Sequence, residues 1–300
     1  MSIIIKNISK SYKKVKALEN ISFEVKSGEL FGLIGPDGAG KTTLFRVLTT
    51  LLIANEGSAS VAGFDVITEY KSIRKNVGYM PGKFSLYQDL TVEENLNFFA
   101  TIFGTTIEEN YDLIKDIYIQ IAPFKDRRAG KLSGGMKQKL ALCCALIHKP
   151  KVLFLDEPTT GVDPVSRKEF WEMLKRLQQK GITILVSTPY MDEAALCDRI
   201  ALIQGGKILE IDTPQAIVKH YPKQIYNVGA NNMYQLINSL KEYKHNHSVY
   251  PFGEFVHYTD ARSDFNPTEL ETFLKSKNLT NISIEKTATT IEDTFMELAK

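Results

Sequence analysis

A glycine-rich segment, GPDGAGKTT, stands between an apolar run and a helical pattern near the start of the chain. Glycines allow successive backbone N–H groups to curl around phosphate groups at the N-terminus of a helix. Lys41 is spaced to reach the β and γ oxygens of a nucleoside triphosphate, and Thr42 is spaced to coordinate Mg²⁺. We therefore predict a nucleotide-binding loop formed by Gly35, Pro36, Asp37, Gly38, Ala39, Gly40, Lys41, Thr42 and Thr43.

Two acidic residues close a second apolar run, VLFLDEP. Asp156 is placed to hold Mg²⁺ through water, and Glu157 is placed to polarise an attacking water as a general base. Acids often end strands, so this motif is weak evidence when it stands alone. Together with the glycine-rich loop it predicts hydrolysis of a bound nucleotide, with Thr42 and Asp156 as the metal ligands.

A third motif, KLSGGMKQKL, begins a helix with a hydroxyl group and two glycines. Ser133, Gly134 and Gly135 form a second helix N-terminus that is suited to anions. This motif lies about twenty residues before the two acids and far from the first loop in the sequence. One chain therefore carries two phosphate-binding surfaces.

With these motifs in hand, the sequence resembles the nucleotide-binding subunits of ATP-binding cassette (ABC) transporters over residues 1–220. The phosphate loop, the LSGG signature, FLDEP and GVDP occur in that family's order and approximate spacing. The resemblance implies that two cassettes pair head to tail, with each ATP between the phosphate loop of one and the signature of the other. It also implies that Tyr12 stacks on adenine and that Asp163 links the two sites. Taken alone, Tyr12 reads as an exposed strand residue and Asp163 as a turn residue.

Two positions depart from the pattern of that family. Gly82 stands where the family has a glutamine that senses the γ-phosphate, and Gln88 comes six residues too late to replace it simply. Pro189 stands where the family has a histidine, and proline has neither a side-chain donor nor a backbone N–H. We expect Pro189 to lie in the first turn of the following helix. Unless a neighbouring group compensates, this chain's own site should bind ATP and hydrolyse it slowly.

The second phosphate-binding surface is intact, although the chain's own site lacks both switch residues. The chain thus retains the signature surface that a partner's ATP site uses, while its own ATP site lacks the switch residues. This combination suggests that the two sites of a pair have different activities. We therefore expect an asymmetric pair with a different cassette rather than a homodimer.

The composition is close to the average for soluble globular proteins, with 43% hydrophobic and 24% charged residues. The formal net charge is +2 and no block of like charge stands out, so no nucleic-acid partner is expected. No apolar segment approaches the roughly 20 residues that span a bilayer. We expect a cytoplasmic protein, peripheral on the inner face of the cell membrane. Cys143, Cys144 and Cys197 lack metal-ligand spacing, which predicts reduced packing residues.

The order of the apolar runs predicts an α/β fold with two domains. Residues 1–221 read as a P-loop NTPase cassette of the ABC type, with an N-terminal β subdomain, a largely parallel sheet and a helical insertion over about 91–150. In this insertion, Thr91 and Glu94 have the spacing of a capping box. Residues 222–300 have the order βαββαβ followed by a helix. This ferredoxin-like order predicts a small C-terminal α+β domain.

The resemblance favours the ATP-binding, ATP-hydrolysing subunit of an exporter that drives a separate integral membrane permease. The tail TIEDTFMELAK resembles the T-x-E-D-x-F tails of such subunits, although its spacing also fits an ordinary amphipathic helix. Residues 82–99 are expected to form the groove that receives a cytoplasmic helix of the permease. The alternatives are a non-transport ABC ATPase, a regulatory ATP-binding subunit and a small-molecule kinase. The signature helix argues against the kinase.

Overall fold

The computed structural model describes residues 1–300. The chain divides into two units between Pro214 and Gln215. None of its helices combines the length and the apolar character needed to cross a bilayer.

The N-terminal unit begins with an antiparallel sheet of four strands. Its strands are β1 (Ile3–Tyr12), β2 (Val15–Val25), β4 (Glu56–Val61) and β5 (Phe64–Asp65), in the order β2-β1-β4-β5. Inward-facing residues of β1, including Ile3, Ile5 and Ile8, are fully or almost fully buried. The residues between them, Ile4, Lys6 and Asn7, are more exposed, as expected of a sheet with one face on the core.

A six-stranded sheet forms the centre of this unit. Its strands are β3 (Leu30–Ile34), β6 (Val77–Met80), β7 (Val152–Asp156), β8 (Thr183–Thr188), β9 (Arg199–Gln204) and β10 (Lys207–Asp212). They lie in the order β10-β9-β3-β8-β7-β6, and all neighbours are parallel except β9 and β10. β3, β7 and β8 are buried along their whole length, which explains their continuous apolar character. The predicted parallel sheet is confirmed, and its carboxyl ends meet at one edge.

Helices connect these strands and cover the sheet. They are α1 (Lys41–Leu48), α2 (Tyr70–Asn76), α3 (Val92–Phe103), α4 (Tyr111–Tyr118), α5 (Gly134–Leu146), α6 (Pro164–Gln179) and α7 (Met191–Ala194). Phe45 of α1 packs edge to face on Phe154 of β7, with 5.7 Å between ring centroids. This contact fixes the helix that follows the glycine-rich loop against the strand that carries the two acids.

The helical insertion between β6 and β7 contains α3, α4 and α5. Thr91 begins α3 as its N-cap: its hydroxyl accepts from Glu94 N at 3.1 Å, and Thr91 N donates to the Glu94 carboxylate at 2.7 Å. The predicted capping box is confirmed. All three cysteines are buried and free, as the sequence predicts.

The C-terminal unit begins within α8 (Pro214–Lys219), and the predicted boundary between residues 221 and 222 lies just beyond that helix. Its further elements are β11 (Ile225–Gly229), α9 (Met233–Glu242), β12 (Asn246–Phe252), β13 (Phe255–Asp260), α10 (Pro267–Ser276), β14 (Ser283–Thr287) and α11 (Ile291–Leu298). The strands form an antiparallel sheet in the order β12-β13-β11-β14. Leu236 of α9 and Leu270 of α10 belong to one apolar core with Val228 and Tyr258 of the sheet. The predicted ferredoxin-like order of elements is confirmed.

Candidate functional site

The glycine-rich loop lies at the carboxyl end of β3 and leads directly into α1. Gly40 is the N-cap of α1 and has φ 108°, a left-handed conformation that favours glycine. No side chain caps this helix, so its first backbone N–H groups are available to an anion. The loop and helix therefore have the geometry that a phosphate-binding helix N-terminus requires.

Close packing also requires glycine in this loop. A Cβ on Gly35 would lie 2.1 Å from Ile203 O, and a Cβ on Gly40 would lie 2.5 Å from Ala17 O. Both contacts are with backbone atoms, which cannot rotate away as a flexible side chain can. The loop is therefore held between the β9–β10 hairpin and β2.

Lys41 joins the loop to the second motif. Its side chain is buried, and its Nζ donates to Gly35 O at 2.8 Å and to Pro36 O at 3.0 Å. The same Nζ lies 3.0 Å from a carboxylate oxygen of Glu157. Residues separated by more than a hundred positions in the sequence thus meet in one site.

The two acids at the end of β7 have different surroundings. Asp156 is buried and accepts a 2.7 Å hydrogen bond from the Ser187 hydroxyl, which in turn accepts from Glu157 N at 3.1 Å. Glu157 has φ 52°, a conformation that costs a non-glycine residue on the order of 1–3 kcal/mol. Ser187 therefore orients both acids. The sequence alone does not predict this role of Ser187, because a serine inside the apolar run ITILVST carries no local signal of the contact.

The remaining donors fit a nucleotide and its metal. Thr42, half-buried in the first turn of α1, and Asp156 carry oxygen atoms of the kind that Mg²⁺ prefers as ligands. Thr43 follows in the same turn, whereas Asp37 and Gly38 lie on the exposed side of the loop and Ala39 is buried. Tyr12, at the exposed end of β1, has 42% of its surface accessible and presents a ring to solvent. These residues match the chemistry of a nucleoside triphosphate.

The signature motif lies at the N-terminus of α5. Ser133 is the N-cap of α5 and accepts from Met136 N at 3.4 Å. A Cβ on Gly135 would lie 2.8 Å from the Ser166 hydroxyl, so this turn packs on the beginning of α6, while Gly134 faces Gly161 O. No hydrogen bond joins Ser133, Gly134 or Gly135 to the phosphate loop of the same chain.

Asp163 caps α6 beside the signature. It is exposed, and its carboxylate accepts from Ser166 N at 2.9 Å. Hydrogen bonds from the backbone and side chain of Ser166 lower the pKa of Asp163 from its ordinary value, so the residue is ionised at neutral pH. The ends of α5 and α6 thus form one exposed surface that carries a charge and two helix N-termini.

The two departures from the family's pattern lie beside the acids. A Cβ on Gly82 would lie 2.9 Å from Asp156 O, so the chain after β6 runs directly against the end of β7. Gln88 lies elsewhere, where its carbonyl accepts from Gly130 N at 2.9 Å.

The prediction for Pro189 is wrong in one respect. It lies before α7, which begins at Met191 with Tyr190 as N-cap, rather than in the first helical turn. The reason is local: Tyr190 N donates to the Thr188 hydroxyl at 3.1 Å, which forms a short turn at the end of β8 before the helix can begin.

The fold and this constellation define a P-loop nucleotide-binding cassette. Comparison with known proteins agrees, because the family model described as ABC transporter matches residues 18–160. The Nod factor export ATP-binding protein I of Rhizobium sp. (strain N33) is 36% identical over 247 residues, which cover 81% of each chain. The chain therefore belongs to the ABC transporter family, as an ATP-binding subunit.

Two further matches cover different shares of the matched protein's length. The probable multidrug ABC transporter ATP-binding protein YbhF of Escherichia coli K12 is 42% identical over 211 residues. That match covers 70% of this chain but only 36% of the length of the E. coli protein. The dimeric structure of MJ0796, a bacterial ABC transporter cassette, superimposes with a TM-score of 0.64 and 26% identity. It covers 70% of this chain and 98% of the other.

Proposed function

We propose that this chain binds and hydrolyses ATP as the cytoplasmic, peripheral subunit of an exporter with a separate integral membrane permease. One observation carries the proposal: the 3.0 Å pair between Lys41 and Glu157 brings the phosphate loop and the acid after β7 into one site. In this site, Lys41 binds the β and γ oxygens, Thr42 and Asp156 hold Mg²⁺, and Glu157 polarises the attacking water. The names of the Rhizobium and E. coli relatives, which refer to export and multidrug transport, support the exporter reading.

A second cassette completes each ATP site. The exposed surface formed by Ser133, Gly134, Gly135 and Asp163 is suited to the phosphates bound by a partner, and the dimeric structure of MJ0796 supports such pairing. The chain's own site lacks a polar side chain at Gly82 and at Pro189. The loss of one oxyanion donor slows an enzyme by about 10²–10³, and we expect the missing polar side chains to slow ATP hydrolysis at this site by a similar factor. A different cassette with an intact site is therefore the favoured partner.

The permease docks at a groove beside the insertion. A cavity of about 420 Å³ lies between β6 and α3, and its wall includes Pro81, Leu86 and Phe99. Ile102 extends this lining with 58% of its surface exposed. An apolar groove that begins next to Gly82 suits an amphipathic helix and joins it to the nucleotide site.

The nucleotide assignment is tested by Lys41→Ala, with Lys180→Ala as a surface control. Removing a charge-assisted bond to phosphate costs about 1.5–3 kcal/mol, so ATP affinity should fall by about ten-fold or more. The control, whose side chain bonds only Asp112 O and Asp116 on the surface, should bind ATP like the wild type. Unchanged affinity in a folded Lys41→Ala protein would refute the assignment.

The docking groove is tested with cysteine crosslinkers in the membrane complex that co-purifies with the chain. Burial raises the pKa of the native thiols, so an introduced surface cysteine should react selectively. Ile102→Cys should crosslink to the permease, and Tyr234→Cys, which is more exposed but lies on the C-terminal unit, should not. The reverse result would place the permease on the C-terminal unit.

A further inference from the structure

Glu193 is a buried carboxylate in the short helix α7, with only 2% of its surface exposed. Both of its oxygens are occupied. One accepts from the Thr159 hydroxyl at 2.8 Å and from Arg167 Nε at 3.1 Å, and the other accepts from the Thr188 hydroxyl at 2.6 Å. A buried charge is costly unless it is paired and hydrogen-bonded, and Glu193 meets both conditions.

The three partners belong to three segments of the candidate site. Thr159 lies two residues after Glu157, on the turn that follows β7. Thr188 is the last residue of β8 and directly precedes Pro189. Arg167 lies in the first part of α6, the helix that Asp163 caps. The Glu193 carboxylate therefore connects the segment after Glu157, the general base, with the segment that contains Pro189.

The surroundings of Pro189 depend on the same contacts. Pro189 has no backbone N–H, so it cannot anchor its own segment through that group. Its neighbours do so instead: Tyr190 N donates to the Thr188 hydroxyl, and the Tyr190 ring lies 4.2 Å from the guanidinium of Arg167. Both Thr188 and Arg167 bind Glu193. Contacts with Glu193 of α7, rather than contacts made by Pro189 itself, therefore fix the position of this segment.

We propose that Glu193 is a positioning residue that holds the Glu157 turn at a fixed distance from the Pro189 segment. It thereby keeps the general base aligned in a site that has no polar side chain at position 189. The proposal rests on the proposed ATPase function. Glu193 acts through Thr159 and Thr188 and does not itself contact the nucleotide, so its loss should change hydrolysis without changing ATP affinity.

The test compares Glu193→Gln with Asp192→Asn in the full chain. Thr159 and Thr188 donate to different oxygens of Glu193, and the glutamine keeps the volume of the side chain but replaces one of these oxygens with an NH₂ group, which cannot accept. Asp192 is the neighbouring acid and also binds Arg167, but its side chain is 75% exposed. Each variant is assayed for equilibrium ATP affinity, for single-turnover hydrolysis of bound ATP, and for amide hydrogen exchange.

In Glu193→Gln, hydrolysis of bound ATP should slow at least ten-fold while ATP affinity stays within two-fold of the wild type. Amide exchange should accelerate at residues 157–162 and 188–195 and stay unchanged elsewhere in the N-terminal unit. Asp192→Asn should match the wild type in all three measurements. Thr159→Val, which removes a single bond to Glu193, serves as the milder variant and should slow hydrolysis about three-fold at unchanged affinity.

Wild-type hydrolysis in either Glu193→Gln or Thr159→Val would overturn the proposal. So would a parallel loss of ATP affinity with faster exchange throughout the unit, since that result would mark a general role in folding. A wild-type chain that does not bind ATP would refute the proposed function itself, and the proposal with it.

Discussion

Gly82 offers a direct test of how the missing glutamine is accommodated. Any side chain at this position would place its Cβ 2.9 Å from Asp156 O and 3.8 Å from Glu157 Cβ. Cβ atoms essentially never approach a backbone oxygen this closely, so the chain must shift if Gly82 is replaced. We predict that Gly82→Gln does not restore a fast ATPase, because the shift displaces the end of β7 that carries both acids.

The magnitude follows from the contact. Forcing extra atoms into a packed site typically costs about 1–3 kcal/mol. For a unit of this size, each 1 kcal/mol lowers the melting temperature by about 2–4 °C, so a fall of about 2–12 °C is expected. Gly82→Ala adds the same Cβ without an amide and should account for most of that loss. In Gly134→Ala the new Cβ would lie 3.6 Å from its nearest neighbour, an ordinary contact, so this control should not be destabilised.

The assays are thermal unfolding followed by circular dichroism and single-turnover ATP hydrolysis. A Gly82→Gln protein with an unchanged melting temperature would show that the contact with Asp156 is not restrictive. If that protein also hydrolysed ATP 10²–10³ times faster than the wild type, the glutamine alone would be the missing element, and the steric reasoning would be refuted.

Two further predictions concern stability. Burial acts to raise the pKa of Asp293, but hydrogen bonds from His257 and Thr290 outweigh it and lower that pKa from its ordinary value. The stabilisation is therefore present at neutral pH and is lost as the pH falls through the lowered pKa. Asp293→Asn should remove about 3 kcal/mol at pH 7. It should also flatten the pH dependence of thermal unfolding of the C-terminal unit below about pH 4, and an unaltered profile would exclude this role. Thr91→Ala should cost about 1 kcal/mol by removing the N-cap of α3, whereas Thr91→Ser should retain most of it in denaturant titrations.

Features that depend on neighbours in the sequence could be predicted from it. The phosphate loop is a local strand–turn–helix unit, and the capping box at Thr91 needs only a residue three positions away. The same holds for the buried strands, because β3, β7 and β8 lie inside the sheet and must be apolar on both faces. The ferredoxin-like order of the C-terminal unit followed from the alternation of strand and helix patterns.

Features that depend on contacts between distant segments could not be predicted. Ser187 and Asp156 lie 31 positions apart in the sequence, and Thr159 and Glu193 lie 34 apart. Nothing in the local pattern of either segment identifies its partner. The position of Pro189 differs from the prediction for a related reason. Proline is favoured in a first helical turn, but here Tyr190 N donates to the Thr188 hydroxyl, and α7 therefore begins only at Met191.

We propose that this chain binds ATP at a slow site of its own and that its signature motif completes the faster site of a different cassette. The most direct measurement is steady-state ATP turnover by the purified chain, alone and mixed with its partner cassette. We expect slow turnover alone and restored turnover in the mixture. Ser133→Arg should abolish most of the restored activity, and Glu157→Gln should leave most of it. Fast hydrolysis by the isolated chain that disappears in Glu157→Gln would contradict the claim.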